Sequence, residues 1–459
     1  MSVGAVGGEV ARELGMEPEA NALVLPHTGT MHWSSALPVD TLATDSVAIA
    51  SLAINLLLAE RRRGTVAPVR VDRAVVAASF GSERVLRIDG AAPTAWAPLS
   101  GFWRADDGWV RTHANYPHHA QALVGLLGLG VDAGAEEVAA AVRRWAAVEL
   151  EDHAARSGAV VAAVRTVADW RQHPHGRTVG DAPLVVRRFV GDAVPRRWGH
   201  GAAPLSGIRV LDLTRVIAGP VAARDLALAG AEVLRVDAPA RKEMGWIHLD
   251  TGQGKRSTLL DLRDAADAAA FDRLLSRADV VITGYRPGAL DRFGLSAESL
   301  ADRHPGLVTA SVSAWGTDGW WAERRGFDSI VQAASGIAMI ESADGSIPGA
   351  LPVQALDHST GHFLAAAIVW ALIEQRRSGG SIDVHMSLAR TASALLDSPD
   401  PATQPGGDGQ VPSRMRRLTG EGGPSTLVYA PPPLAFAGAP ADYAEAGRMW
   451  GVDPAEWMR

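Results

Sequence analysis

A single carboxylate, Asp357, stands near the start of the stretch Leu351–Arg377, LPVQALDHSTGHFLAAAIVWALIEQRR, an apolar loop that becomes a long alanine-rich helix. A carboxylate at that place has two uses. It can cap the helix, or it can attack a carbonyl carbon as a nucleophile. Asp357 comes just before Ser359 and Thr360, so the positive end of the helix favours its ionised form. The stretch also has a counterpart. Leu37–Arg63 reads LPVDTLATDSVAIASLAINLLLAERRR, and without a gap the two agree at ten positions, from the shared Leu-Pro-Val to the closing Glu-x-Arg-Arg. Where the second copy has Asp357, the first has Ala43. His358 is a further acid–base candidate, although adjacent side chains at a helix start diverge. His113, His118 and His119 form a local cluster with no further ligand at metal spacing, so no metal site is expected.

The elements that must position Asp357 are legible between residues 205 and 313. IRVLDL reads as a strand, AGPVAARDLALAGA as a helix opened by Gly219 and Pro220 and closed by Gly230, and EVLRVD as the next strand. Strand, glycine turn, helix and strand in about thirty residues make a βαβ unit and imply a parallel sheet. The alternation continues through DVVITGY and LVTASVSA, which predicts a doubly wound, Rossmann-like α/β domain. Asp237 ends the second strand where a ribose-binding acid would stand. The first turn, however, offers Gly219 alone where a dinucleotide fingerprint needs three glycines.

The N-terminal 200 residues differ in kind. Two short strands joined around Asp107-Gly108 predict a hairpin, with a helix from about His118 and a largely helical segment at 135–172. This is a smaller α+β domain. Residues 397–440 are rich in proline and glycine and read as a loose extension or flexible tail. The divisions expected are a leader at 1–34, a repeat-plus-small-domain block at 35–200, the Rossmann-like domain at 201–396 and an extension at 397–459.

Composition narrows the classes. The 459 residues contain no cysteine, which excludes disulfides, thiolate nucleophiles and cysteine-ligated metals. A formal net charge of −7 without a long basic run argues against nucleic acid as a partner. The N-terminus carries acids and no sustained apolar core, unlike a signal peptide, and the run FLAAAIVWALI is too short for a bilayer. A cytoplasmic protein with no membrane partner is the expectation.

Five motifs in order, LSGIRVLDLTRVIAGPVAARDLALAGAEVLRVDAP, GKRSTLLDLRD, DVVITGYRPGALDRFGL, SVSAWGTDG and LDHSTGHFLAAAIVWALIEQRRSGGSIDVHMSLA, resemble the family III CoA-transferases over about 205–395. That family includes carnitine and formyl-CoA transferases and α-methylacyl-CoA racemases. DGWVRTHANYPHHAQALVGLLG and DWRQHPHGRTVGDAPLV are similar to the family's small domain and return segment. Here they precede the large domain, so the halves look permuted or fused, and Leu37–Arg63 looks like the remnant of a second nucleophile helix. One working site needs one carboxylate, which accounts for Ala43.

The resemblance implies the family III fold and transfer of CoA from an acyl-CoA thioester to a small carboxylic acid. Asp357 would be the covalent nucleophile, with coenzyme A entering as substrate and no metal required. It also implies CoA contacts at Arg215, Ile217, Ala218, Lys255, Arg256, Tyr285 and Arg286, where the cations would meet phosphates. Some relatives carry glutamine where Ile217 stands. The racemases use a histidine where this chain has Phe327, which favours transfer over the racemase alternative. A non-catalytic homologue is the remaining alternative. Family members form interlocked dimers. The permuted order predicts instead a chain folded back on itself, as an unlinked homodimer or a monomer.

Overall fold

The structure, a computed structural model, describes residues 3–198, 201–406, 411–418 and 424–458. Among these residues the main sheet has seven strands: β1 Val186–Gly191, β2 Arg209–Leu213, β3 Glu232–Asp237, β4 Arg256–Leu259, β5 Val280–Thr283, β6 Val308–Ser313 and β7 Ser381–Ser387. Their order across the sheet is β1-β7-β6-β5-β2-β3-β4. All neighbours run parallel except β1, which pairs antiparallel with β7 at the edge. The order turns back between β2 and β5. In a doubly wound sheet that switch opens a crevice beyond the carboxyl ends of the strands, where ligands bind.

Five helices matter for the site: α1 Val39–Arg62, α2 Ala218–Leu228, α3 Gly245–Thr251, α4 Asp328–Ser335 and α5 Ala355–Ser378. The two repeats are α1 and α5, each 24 residues long, and they pack against one another in the centre of the molecule. Both are long and apolar enough to cross a bilayer. The sequence expectation of a short apolar run therefore understated the helix. Each is instead almost wholly buried inside the protein. Their alanine-rich faces allow the close approach, and α2 packs on the other side of α5. Gly361 makes that second contact possible. A Cβ there would lie 2.5 Å from the Ala218 carbonyl oxygen and 2.9 Å from Val221 Cβ. One turn before Gly361 stands Asp357, and the contact brings it to the β2–α2 turn.

The two copies meet different surroundings. Ala43 is fully buried. The first turns of α1 are covered by the helix Ala5–Glu13 and by Asp400: the Gly4 amide donates to Asp45 (2.9 Å) and the Ala5 amide to Asp400 (2.8 Å).

The smaller domain is an antiparallel sheet of Phe102–Arg104, Trp109–Thr112 and Val161–Ala163, with the hairpin turning at Asp107-Gly108 and the helix Pro117–Leu126 behind it. It has its own core, including Val110, Leu123, Val138 and Leu150. The N-terminal block lies against the α/β domain of the same chain. The Arg165 amide, for example, donates to the Ala333 carbonyl in α4.

The expectation of a loose tail is corrected. Thr426–Tyr429 pairs with both Arg414–Arg417 and Arg87–Ile88 in a second antiparallel sheet. Tyr429, Tyr443 and Trp457 are buried. The proline-rich strap lies across α1, its Ala435 and Ala437 amides donating to Ser51 Oγ (2.9 Å) and Asn55 Oδ1 (2.7 Å). Polar side chains on a core helix thus replace the ladder that proline-rich backbone cannot make. Residues 407–410 and 419–423 of this stretch, and 199–200 of the segment joining the two domains, lie outside the described residues.

Candidate functional site

Two chambers meet at Asp357. The larger, about 270 Å³, lies over the carboxyl ends of β2, β5 and β6, at the switch point of the sheet. Arg215, Ala218, Tyr285 and Arg286 line it, together with Arg324 and Arg325. The smaller, about 60 Å³, is lined by Ile217 and by residues of the N-terminal block and α3. Val216, Phe327 and Asp357 border both.

The β2–α2 turn is strained. Val216, a β-branched residue, has φ of +69°, a backbone conformation costing on the order of 1–3 kcal/mol. It is held there from both sides. Its amide donates to Glu243 Oε2 (3.1 Å), and Gly219 follows so closely that a Cβ would meet Thr214 at 2.4 Å. Glu243 also accepts from Tyr116 Oη (2.5 Å) and pairs with Arg215 and Arg235 (3.4 Å each). Burial works to raise its pKa, but Arg215, Arg235 and Tyr116 outweigh it and hold the carboxyl below its ordinary range.

Asp357 is not the helix cap. Gln354 occupies that place, and no side-chain cap bond is made. The Asp357 amide donates to Asp328 Oδ2 (3.0 Å), while among the described residues its own carboxyl makes no hydrogen bond. Burial, then the neighbouring Asp328 carboxylate, raise its pKa well above the ordinary 3.8. The sequence expectation that the helix terminus keeps it ionised is therefore reversed: desolvation and a like charge win. Asp328 is itself pushed up to about 6 by burial, against hydrogen bonds from the Asp357 amide, the Gln332 side chain and the Leu356 amide.

Placement sorts the other sequence candidates. Arg215, Ala218, Tyr285 and Arg286 share the larger chamber with Asp357, and Ile217 faces the smaller one. Lys255 and Arg256 are elsewhere. The Lys255 ammonium is buried, bonded to Asp212 (2.8 Å) and the Pro220 carbonyl (2.7 Å). Arg256 donates to the Glu456 and Pro454 carbonyls at the far edge of the sheet. Neither lines the larger chamber, so the structure does not bring them to Asp357.

Arg324 and Arg325 were missed. Arg325 has its pKa lowered by burial and then by Arg286 and Arg241, whereas Arg324 is paired with Asp152 at 2.7 Å. Two successive arginines after the W-G-x-x-G segment were the available signal. Tyr116, His118 and His119 reach the larger chamber from the small domain, and His113 stacks flat on Phe327 at 3.6 Å. Among the described residues no group of three or more His, Asp or Glu side chains is arranged to hold a metal ion. His358 does not diverge fully from its neighbour. It lines the smaller chamber with Asp357, stacks on Phe80 at 4.9 Å, and is kept neutral by burial and then by Arg224 and His362.

Residues 205–430 match the family model of CoA-transferase family III. Over that segment, just under half of the chain, the sequence is similar to CoA-transferase family III. The match holds all five motifs, both carboxylates of the Asp328–Asp357 pair and every arginine of the larger chamber. An acyl-CoA transferase of Gibberella moniliformis is 31% identical over 331 residues, covering 67% of this chain and 58% of that protein. A succinate–glutarate CoA-transferase of Agrobacterium fabrum is 36% identical over 211 residues, covering 42% and 53%. The crystal structure of a CaiB/BaiF family protein from Brucella suis is 31% identical with a TM-score of 0.40, covering 42% of this chain and 56% of that one. The chain spans about half the length of the curated relatives it matches.

Proposed function

We propose that this protein is a family III CoA-transferase that moves CoA from an acyl thioester to a second carboxylic acid through Asp357. The observation that carries the reading is a buried carboxyl, free of hydrogen bonds among the described residues, at the junction of an arginine-rich chamber and a smaller one lined by no arginine or lysine. Guanidiniums of Arg215, Arg286, Arg324 and Arg325 suit the phosphates of CoA, with the pantetheine arm leading down to Asp357.

The chemistry runs in four balanced steps. The Asp357 carboxylate attacks the thioester carbonyl, giving a mixed anhydride and CoA thiolate. The thiolate attacks the aspartyl carbonyl, giving an aspartyl-CoA thioester and releasing the first acid as its carboxylate. An acceptor carboxylate attacks that thioester, re-forming an anhydride and thiolate. The thiolate then attacks the acceptor's acyl carbon, releasing the new acyl-CoA and free Asp357. The raised pKa makes Asp357 a stronger nucleophile once ionised, and makes its deprotonation a condition for the first step. Exchange of labelled CoA into an acyl-CoA pool tests the reading. Wild-type protein incorporates label, and failure with every thioester tried sinks it.

One observation favours a second reading. His358 is neutral, has an unpaired Nδ1 and borders the same chamber as Asp357, so the two could exchange a proton at the carbon beside a thioester. Deuterium wash-in at that carbon without CoA exchange would select this racemase chemistry. For assembly, both chambers are completed by the chain's own N-terminal block, which supports an unlinked dimer or a monomer. Light scattering at falling concentration tests it: a dimer that parts only on denaturation contradicts it.

A further inference from the structure

The smaller chamber has a composition that limits what it can hold. Its apolar walls are Trp96, Met244, Trp246 and Ile247, and its polar wall carries the carboxyls of Glu83 and Asp250 besides Asp328 and Asp357. None of its lining residues is lysine or arginine. The guanidiniums nearby stand behind the wall. Arg111 is stacked between the rings of Trp96 and Phe102 at 4.8 Å from each, and Arg224 donates to the Asp250 carbonyl and to Gln253. Burial raises the pKa of Glu83 and of Asp250, as it does for Asp328. A further carboxylate brought here would lose its water, meet no lysine or arginine in the lining and face acids.

Size sets the second limit. One water needs about 10–15 Å³ of such space, so about 60 Å³ holds roughly four to six non-hydrogen atoms. We propose that this chamber receives the acyl chain of a short, uncharged monocarboxylic acid, and that it rejects both dicarboxylates and long fatty chains. The proposal rests on the transferase reading. Donor and acceptor acids pass through the same anhydride on Asp357, so the limit applies to both. It separates this chain from the relative named for succinate and glutarate.

The test has two arms. Exchange of labelled CoA is measured with butyryl-, hexanoyl-, succinyl-, glutaryl- and hexadecanoyl-CoA. Equilibrium binding of the same thioesters is measured on Asp357→Asn protein, which does not turn over. Butyryl- or hexanoyl-CoA is expected to exceed the succinyl, glutaryl and hexadecanoyl thioesters by at least about tenfold in both arms, about 1.4 kcal/mol. Succinyl-CoA bound as tightly as butyryl-CoA overturns the proposal, whatever the exchange shows. No exchange with any thioester, with the binding order kept, sinks the transferase reading and leaves the chamber assigned. Met244→Arg, at a half-buried wall position, should raise succinyl-CoA binding, and Trp246→Ala should admit longer chains. Folded variants with the wild-type order in both cases would also overturn it.

Discussion

Replacing Asp357 with asparagine separates a nucleophile from a structural acid by giving opposite signs for activity and stability. The side chain caps nothing, makes no hydrogen bond among the described residues, and lies beside Asp328, whose Oδ2 is 3.0 Å from the Asp357 amide nitrogen. Two unit like charges about 4 Å apart repel by about 4 kcal/mol at an effective dielectric constant of about 20, and by less at longer range. Protonation relieves part of this, so Asp357→Asn should stabilise the protein by about 1–3 kcal/mol at pH 8. The pH dependence follows from the direction of the shift. Asp357 has a folded pKa raised above its unfolded 3.8, so the wild type is most stable below 3.8 and loses that stability as pH rises through the folded value. The gain from asparagine is therefore near zero at pH 4 and grows upward. With an unfolding entropy of about 2.1 cal/mol/K per residue, 459 residues give about 1 °C per kcal/mol. Melting at pH 4, 6 and 8 should show a difference opening to about 1–3 °C, while CoA exchange falls by at least about 10³-fold. A variant that loses the 0.5–2 kcal/mol typical of a removed cap and keeps its turnover refutes the reasoning.

Three other outcomes are expected. Lys255→Met should cost about 3–5 kcal/mol in denaturant unfolding by leaving Asp212 buried and unpaired. The KM for acyl-CoA should be unchanged, and adding Asp212→Asn should restore much of the stability. Arg325→Gln should raise the KM for acyl-CoA about tenfold with no loss of stability, because it relieves repulsion with Arg286 and Arg241; an unchanged KM would remove it from the phosphate site. Ala43→Asp should destabilise by about 2 kcal/mol or more, since that position is fully buried. It should give no second acyl-enzyme equivalent per chain.

Periodicity and turn chemistry carried the fold a long way. The βαβ alternation predicted the parallel sheet, and the ungapped repeat marked the two central helices. The missing carboxylate in one copy pointed to Asp357 before any geometry was known. The failures have physical causes. Lys255 is paired with a carboxylate 43 positions away, so the sequence shows two charges and not the bond between them. Arg324 and Arg325 reach the larger chamber only because their loop folds over the sheet. Val216 at positive φ contradicts its own propensity and is imposed by Glu243, which no local rule reveals. The C-terminal strap has the proline and glycine content of a disordered segment, yet Tyr429, Tyr443 and Trp457 give it enough apolar surface to dock.

The central claim is that Asp357 becomes covalently acylated during turnover. The direct test is to incubate the protein with butyryl-CoA, quench with hydroxylamine, digest it and weigh the peptide that spans Leu351–Arg376. Both the aspartyl anhydride and the aspartyl-CoA thioester react with hydroxylamine, and the account predicts an aspartyl hydroxamate at Asp357 that appears only with acyl-CoA present and is absent from Asp357→Asn. An active enzyme whose peptide keeps its unmodified mass, or carries the hydroxamate at Asp328 instead, contradicts it.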